Sequence, residues 1–302
     1  MDKRGLFARY GRGALRKWPM LAAFCGGVLV VSNFMPAGNR DAAAAAPLAA
    51  KAQEAMIQIF RKRDTTAVDR FFAEPFVQHD PNVGDGLPGL RAFAAEVAAS
   101  PDSDITIYRT LVDGDLVLLH SKYHALKNSA GPLIAFDLFR FKDDKIVEHW
   151  GGQNAEAAAP NLSGHTQVDG PSDVIDRQKT EANRALVRTY REVITNQMHF
   201  DRIGEFLDDK YVQHASESGD GIERLKARFA AITKRGAPSP LVPRRYVAEG
   251  NFVLSLVEAR TDPRPTANYD LFRVAGGKLV EHWEVLSPIP PRDQWKNANG
   301  PF

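Results

Sequence analysis

Phe136-Asp137-Leu138-Phe139-Arg140-Phe141-Lys142-Asp143-Asp144-Lys145-Ile146-Val147-Glu148-His149-Trp150 recurs as Tyr269-Asp270-Leu271-Phe272-Arg273-Val274-Ala275-Gly276-Gly277-Lys278-Leu279-Val280-Glu281-His282-Trp283, 133 residues later and without a gap. Repetition of this kind means two similar structural units in one chain. Each copy places aromatic, aliphatic and β-branched residues on both sides of a short polar or glycine stretch, the pattern of a β-hairpin. A two-residue loop demands positive φ at both positions, which suits Asp143-Asp144 poorly; a three-residue loop demands it only at the last. The sequence therefore predicts loops over 142–144 and 275–277. Asp137 then stands directly opposite His149, and Asp270 opposite His282. By the period of two, Asp137 shares its face with Ala135, Phe139 and Phe141. An acid and an imidazole on an apolar face read in two ways: a hydrogen bond that stiffens the hairpin, or an acid/base dyad in an apolar pocket.

Working outward, other elements recur. Val77-Gln78-His79 matches Val212-Gln213-His214, and Gly84-Asp85-Gly86 matches Gly219-Asp220-Gly221, here 135 residues apart. Asn161-Leu162-Ser163-Gly164 follows the first hairpin and Asn297-Ala298-Asn299-Gly300 the second. Each copy follows one plan. Helices are expected at 48–63 and 173–197, and shorter ones at 66–72 and 199–207. A strand then carries the Val-Gln-His triplet, and a helix opens after Gly86 or Gly221. Strands 104–112 and 115–124 flank an Asp113-Gly114 turn; strands 241–248 and 252–260 flank Glu249-Gly250-Asn251. Helices first and an antiparallel sheet after them is an α+β plan.

Residues 1–40 hold seven basic residues and one acid, and the uncharged run Met20–Met35 follows the basic cluster. This is the pattern of a signal peptide or a single membrane anchor, assigned to residues 1–46, with possible cleavage among Ala42–Ala46 and a possible tether through residues 20–35. The body is accordingly expected to be exported, to the periplasm or the extracellular medium. The full chain is at +2, yet residues 41–302 carry 32 basic and 36 acidic side chains. A mildly acidic body argues against nucleic acid as a partner. Cys25 is the single cysteine, so the body has no disulfide, thiolate catalyst or cysteine-based zinc site.

The ordered set Phe76-Val77-Gln78-His79-Asp80-Pro81, Gly86, Asp137-Leu138-Phe139-Arg140 and Lys145-Ile146-Val147-Glu148-His149-Trp150 resembles the SnoaL-like polyketide cyclase family, part of the superfamily named after nuclear transport factor 2. The resemblance covers each copy nearly end to end. It implies two tandem cone-shaped domains, at 47–165 and 173–302 with a 166–172 linker, each with N-terminal helices packed on a curled antiparallel sheet. It also implies cyclase chemistry without metal or organic cofactor, with an aspartate as acid/base. By motif position that aspartate is Asp137, with Asp270 in the second copy. The family includes aldolases, isomerase-like enzymes and non-enzymatic binders, since one fold hosts many functions.

The copies are unequal. Asp115–His120 resembles the family's strand ending in histidine, whereas the second copy has Leu256 at that place. The first copy has His79-Asp80-Pro81 and the second His214-Ala215-Ser216. The first copy departs from the family in Gly151-Gly152, where an acidic residue is usual. The first copy is therefore the expected seat of chemistry, with Asp137, His149, His120 and His79 as candidates and Asp270, His282 and His214 as second-copy equivalents. His79 and His214 also read as hydrogen-bonded core histidines, and the three histidines of copy one lack the spacing of a metal signature. Arg140 and Arg273 alternate away from the aspartate face, and Trp150 and Trp283 read as packing. No phosphate loop or nucleophile elbow appears. Three readings remain: an exported cofactor-free lyase or isomerase of the cyclase or aldol type acting on a small carbonyl compound, a binder of a small apolar ligand, or a purely structural pair. In each the two sheets are expected to face each other as an intrachain pseudo-dimer.

Overall fold

The structure, a computed structural model, describes residues 37–126, 129–234, 240–260 and 265–302. The apolar run 20–35 and the rest of the expected export segment up to residue 36 lie outside them. Among the described residues no helix is long and apolar enough to cross a membrane.

The first cone comprises α1 (Ala37–Phe60), α2 (Ala67–Phe71), β1 (Phe72–Gln78), α3 (Gly86–Ala98), β2 (Asp104–Asp113), β3 (Leu116–His124), β4 (Leu133–Lys142) and β5 (Lys145–Ala155). The second begins with a 3-10 turn (Arg177–Lys179) and α4 (Thr180–Tyr190), which continues as a π-helical segment (Arg191–Asn196). A 3-10 segment (Phe200–Glu205), β6 (Leu207–Gln213), α5 (Ile222–Lys234), β7 (Val242–Glu249), β8 (Phe252–Ala259), β9 (Thr266–Ala275) and β10 (Lys278–Pro288) complete it. The sheets run β1-β5-β4-β3-β2 and β6-β10-β9-β8-β7. Only the β1–β5 and β6–β10 pairs are parallel. This is the expected α+β plan, twice. α1 starts at Ala37 and passes through Pro47, so it runs back across the expected 46/47 boundary. Its Ala52, Ala55, Met56 and Ile59 fall at helical spacing and bury one stripe on the sheet. Gly86 and Gly221 sit at φ +65° and +87°, a conformation that glycine alone adopts freely, which accounts for the repeated glycine at the mouth of α3 and α5.

The hairpin turn differs from expectation. Lys142 pairs with Lys145, so the loop is the two residues Asp143-Asp144, at φ 48° and 67°. Gly276-Gly277 takes the same form. A bulge at Val147 then adds one residue to the returning strand, with Phe141 opposite Ile146 and Arg140 opposite Glu148. Turn and bulge together move every later partner by two positions. Asp137 therefore lies opposite Gly151, and Phe139 opposite His149. A slip of one would have reversed the faces; a shift of two leaves His149 on the aspartate's face, one step along the diagonal. In the first β2–β3 turn the loop residues are Gly114-Asp115, one later than expected.

Strands β3, β4, β8 and β9 are buried on both faces, which is why they read as nearly continuous apolar runs. Val117, Leu119, Ala135, Phe139 and Phe141 point into their own cone. Leu118, Ile134, Phe136, Leu138 and Trp150 meet Leu254, Leu256, Tyr269, Leu271 and Trp283 of the other sheet. The expected sheet-to-sheet pseudo-dimer is thus present. Phe136 and its repeat counterpart Tyr269 stack across it, 6.2 Å between centroids. Arg245 lies 4.1 Å over Trp150 and Arg109 4.0 Å over Trp283, each arginine reaching from the opposite cone. A Cβ on Gly152 would fall 2.2 Å from the Tyr269 ring, so the sheets approach this closely only because residue 152 has no side chain. Gly152→Ala should destabilise the protein by about 1–3 kcal/mol. A double-mutant cycle with Tyr269→Leu checks this: relief of the clash appears as a cost smaller than the sum, and simple additivity would show that the ring is not the obstacle.

The segment expected as a linker, 166–172, is packed. Val168 is buried in the inter-sheet core, and Asp169 O accepts the Trp283 Nε1–H at 2.9 Å. The tail of each copy crosses to the other cone.

Candidate functional site

The strand faces sort the repeated motif into two sets. Gln78, Asp137 and His149 point into the first cone; His79, His120, Arg140, Glu148 and Trp150 point out of it. The inward set lines a cavity of about 420 Å³. Its walls are apolar, with Met56, Ile59, Phe60, Phe76, Leu90 and Phe93 from the helices and β1, and Phe139 from the sheet.

The relay can be followed proton by proton. Gln78 Oε1 accepts the Asp80 N–H at 2.9 Å, which fixes the amide with its oxygen toward His149. His149 Nδ1 therefore donates to it, at 2.9 Å. Nε2 faces Asp137 Oδ1 at 3.1 Å, within hydrogen-bond reach. Asp137 Oδ2 accepts from Tyr123 Oη at 2.5 Å. Burial and the neighbouring Asp137 carboxylate hold the Tyr123 phenol well above its ordinary range, so it remains a donor. Asp80 also lines the cavity. Its Oδ1 accepts from the backbone and side-chain amides of Asn82, both at 2.9 Å, while Oδ2 faces the site. Burial raises the Asp80 pKa, and it outweighs the Asn82 amide and His149, which pull the other way. Gly151 makes this grouping possible. A Cβ there would lie 3.0 Å from His149 Cε1 and 3.6 Å from Asp80 Oδ2.

The second cone repeats the relay. Gln213 Oε1 accepts from the Ala215 N–H and His282 Nδ1, and His282 Nε2 meets Asp270 Oδ1 at 2.9 Å. Its outer partner differs. Arg191, at the start of the π-helical segment, sets Nη2 2.5 Å from Asp270 Oδ2, with both side chains under a tenth exposed. The burial pattern aligns Ala52, Ala55, Met56 and Ile59 with Val187, Tyr190, Arg191 and Ile194, so Arg191 stands where the first cone has Met56 on its cavity wall. Burial raises the Asp270 pKa, but the Arg191 guanidinium and the His282 bond overcome it and the carboxyl lies below its ordinary range. At the place of Gly151 stands Glu284, paired with Arg228 at 3.1 Å.

Of the residues expected from sequence, Asp137 and His149 meet in the first cone, and Asp270 and His282 in the second. His79 and His120 do not join them. His79 Nδ1 meets Gly300 O and Nε2 meets Glu148 Oε1, both at 2.8 Å, and the ring stacks on Trp150. His214 does the same against Thr166 O and Glu281 and stacks on Trp283. His120 stacks on Phe136 in the interface beside Arg109; burial and that cation hold its pKa well below the ordinary value. The register explains the parity: Leu119, not His120, is the cross-strand partner of Asp137. Gln78, Asp80, Tyr123 and Arg191 were not among the expected site residues. Gln78 had a signal, its place in the triplet repeated as Gln213; Tyr123 falls on the inward parity of β3 with Val117 and Leu119. Among the described residues, His165, Asp169 and His214 lie close enough to hold a metal ion, as do Asp270, His282 and Glu284. In both sets the central histidine has each ring nitrogen committed to an oxygen acceptor, and Arg191 adds a positive charge beside the second.

A sequence profile described as a SnoaL-like domain matches residues 54–149 and again 187–282, together more than half of the chain. The chain belongs to the SnoaL-like domain family. Among solved structures its SnoaL-like cones are similar to TsrD from Streptomyces laurentii, at 19% identity over 35% of this chain and 89% of that one, TM-score 0.31. An NTF-2 like protein from Burkholderia xenovorans is 21% identical over 40% of this chain and 99% of that one, TM-score 0.34. A SnoaL-like polyketide cyclase from Agrobacterium tumefaciens is 12% identical over 35% of this chain and 91% of that one, TM-score 0.30. These solved chains each correspond in extent to one cone. No curated protein matches the chain.

Proposed function

We propose that the first cone is a cyclase- or isomerase-type enzyme, with lyase chemistry of the aldol type in its range, that transfers a proton next to the carbonyl of a small, largely apolar compound. The observation that carries this reading is the grouping of Asp80, Asp137 and His149 on the wall of a largely apolar cavity in one cone, against a buried ion pair at the matching place in the other. Asp80 Oδ2 takes the proton from carbon, and the electron pair of that bond moves to the carbonyl oxygen. A proton carried between Asp137 and His149 stabilises the resulting enolate. Isomerisation ends when Asp80 returns its proton to a different carbon; ring closure ends when the enolate carbon adds to a second carbonyl, whose oxygen takes the proton held by Asp80 and restores the carboxylate. A carboxyl made more basic by burial suits the first step near neutral pH. The second cone, with Arg191 in place, serves as partner and support.

The test is deuterium uptake. A panel of small ketones, β-diketones and β-keto esters in heavy water, followed by proton NMR with and without the protein, should show accelerated loss of the proton next to the carbonyl. The apolar walls favour a second reading, a ligand-binding protein; saturable binding of panel members with no acceleration for any of them would select it. The mildly acidic body behind a basic and then apolar leader supports export, by a cleaved signal or a tether through residues 20–35. Fractionation of the expressing cell, with N-terminal sequencing, should recover the protein outside the cytoplasm; the intact chain in the soluble cytoplasmic fraction would refute export.

A further inference from the structure

The two tails are exchanged between the cones. Asn297 Nδ2 donates to Asp80 O at 2.7 Å and to Val83 O at 3.0 Å, and the Lys296 N–H donates to Pro81 O at 2.8 Å. Asn299 Nδ2 donates to Gln78 O at 3.0 Å and to Asp85 Oδ1 at 2.7 Å; Asp85 Oδ1 also accepts the Gln78 N–H. Lys296 itself lies on the cavity wall. The segment so gripped, 78–85, leaves the sheet after the His79 N–H bond to His149 O. It carries the amide that sets the His149 tautomer and the carboxylate that faces the cavity.

We propose that Asn297 and Asn299 are positioning residues of the first cone's site, acting through segment 78–85 on Gln78 and Asp80. The site is then assembled from both copies: the reacting groups come from the first, and the brace that fixes them from the last residues of the second. The catalytic side of this inference rests on the first cavity being the reactive one; its geometric side does not. The other tail supplies an internal control. Asn161 Nδ2 donates to Gln213 O and Ala215 O, and the Leu162 N–H to Ser218 O, so the first copy's tail braces the same segment of the second cone, where Ala215 replaces Asp80.

The experiment uses the full chain with nitrogen-15 histidine and follows the Nδ1–H signals of His149 and His282, each held by a glutamine oxygen. In Asn297→Ala/Asn299→Ala the His149 signal should be lost to exchange with water while that of His282 persists; Asn161→Ala should give the reverse. Persistence of the His149 signal in the double variant overturns the proposal. So does simultaneous loss of both signals in either variant, which would assign the tails to overall stability. Should the double variant fail to fold, Asn297→Ala alone carries the same comparison. Because the signals need no substrate, a protein without proton-transfer activity still answers this test. An active protein whose deuterium uptake is unchanged in Asn297→Ala/Asn299→Ala refutes the brace and leaves the enzyme reading standing.

Discussion

Asp80→Asn is expected to slow deuterium uptake by a substrate of the first cone by about 10²–10⁴-fold, the usual contribution of a positioned acid or base. Asparagine keeps the shape and the Asn82 contacts but has no basic oxygen to face the cavity. Asp137→Asn should cost a comparable factor, because an amide beside His149 has neither the charge nor the basicity of the carboxylate. The paired change Arg191→Met/Asp270→Asn in the second cone should leave the rate at its starting level. The sign of the pH dependence follows from the raised Asp80 pKa. A base works when unprotonated, so the rate should fall on acidification through a midpoint above about 4, the ordinary aspartate value, and that limb should vanish in Asp80→Asn. Equal losses from the first-cone and second-cone changes would sink the asymmetry.

Arg191→Met should be among the most destabilising single substitutions in the chain, at about 3–5 kcal/mol, because it strands the Asp270 carboxylate without its buried partner. Methionine is the residue the first cone has at this place, so shape is not the obstacle. Adding Asp270→Asn should recover most of the loss, since the amide oxygen still meets His282 and no charge is left buried. Denaturant titration of the three variants checks this, and a small effect of Arg191→Met alone would show the pair to be of little consequence. The pH sign is opposite to that of Asp80. The folded Asp270 pKa is depressed, so the pair's contribution is fully present above the unfolded value near 3.9 and disappears as pH falls through the lower folded value. The cost of Arg191→Met should therefore shrink as the pH falls and the stranded carboxyl takes up a proton.

The fold was legible because the repeat is long and because its strands, buried on both faces, are apolar throughout. The dyad was legible for a subtler reason. The hairpin loop is one residue shorter than its sequence suggests, and a bulge at Val147 that nothing in the sequence announces adds one more shift; together the two preserve parity, and parity is what decides which face a side chain occupies. Gly276-Gly277 pointed to the two-residue loop, while Asp143-Asp144 concealed it. Parity also misled where it was not applied: His79 and His120 are next to inward residues and so face outward. Arg191 was illegible in physical terms. An arginine reads as solvated by its charge, and nothing in the sequence pairs Arg191 with Asp270, although it falls with Val187, Tyr190 and Ile194 on the buried stripe of its helix.

The crossing tail also ties the first cone to the order of synthesis. His79 meets Gly300 and Gln78 meets Asn299, each pair 221 residues apart in sequence. A chain made from its N-terminus can lay down the first sheet early, but the brace on segment 78–85 follows the last strand of the second sheet. Contacts of such separation form late and slowly. The half that holds the reactive groups is therefore finished only when the other half is complete, so a prematurely terminated chain yields a first cone with its relay unbraced.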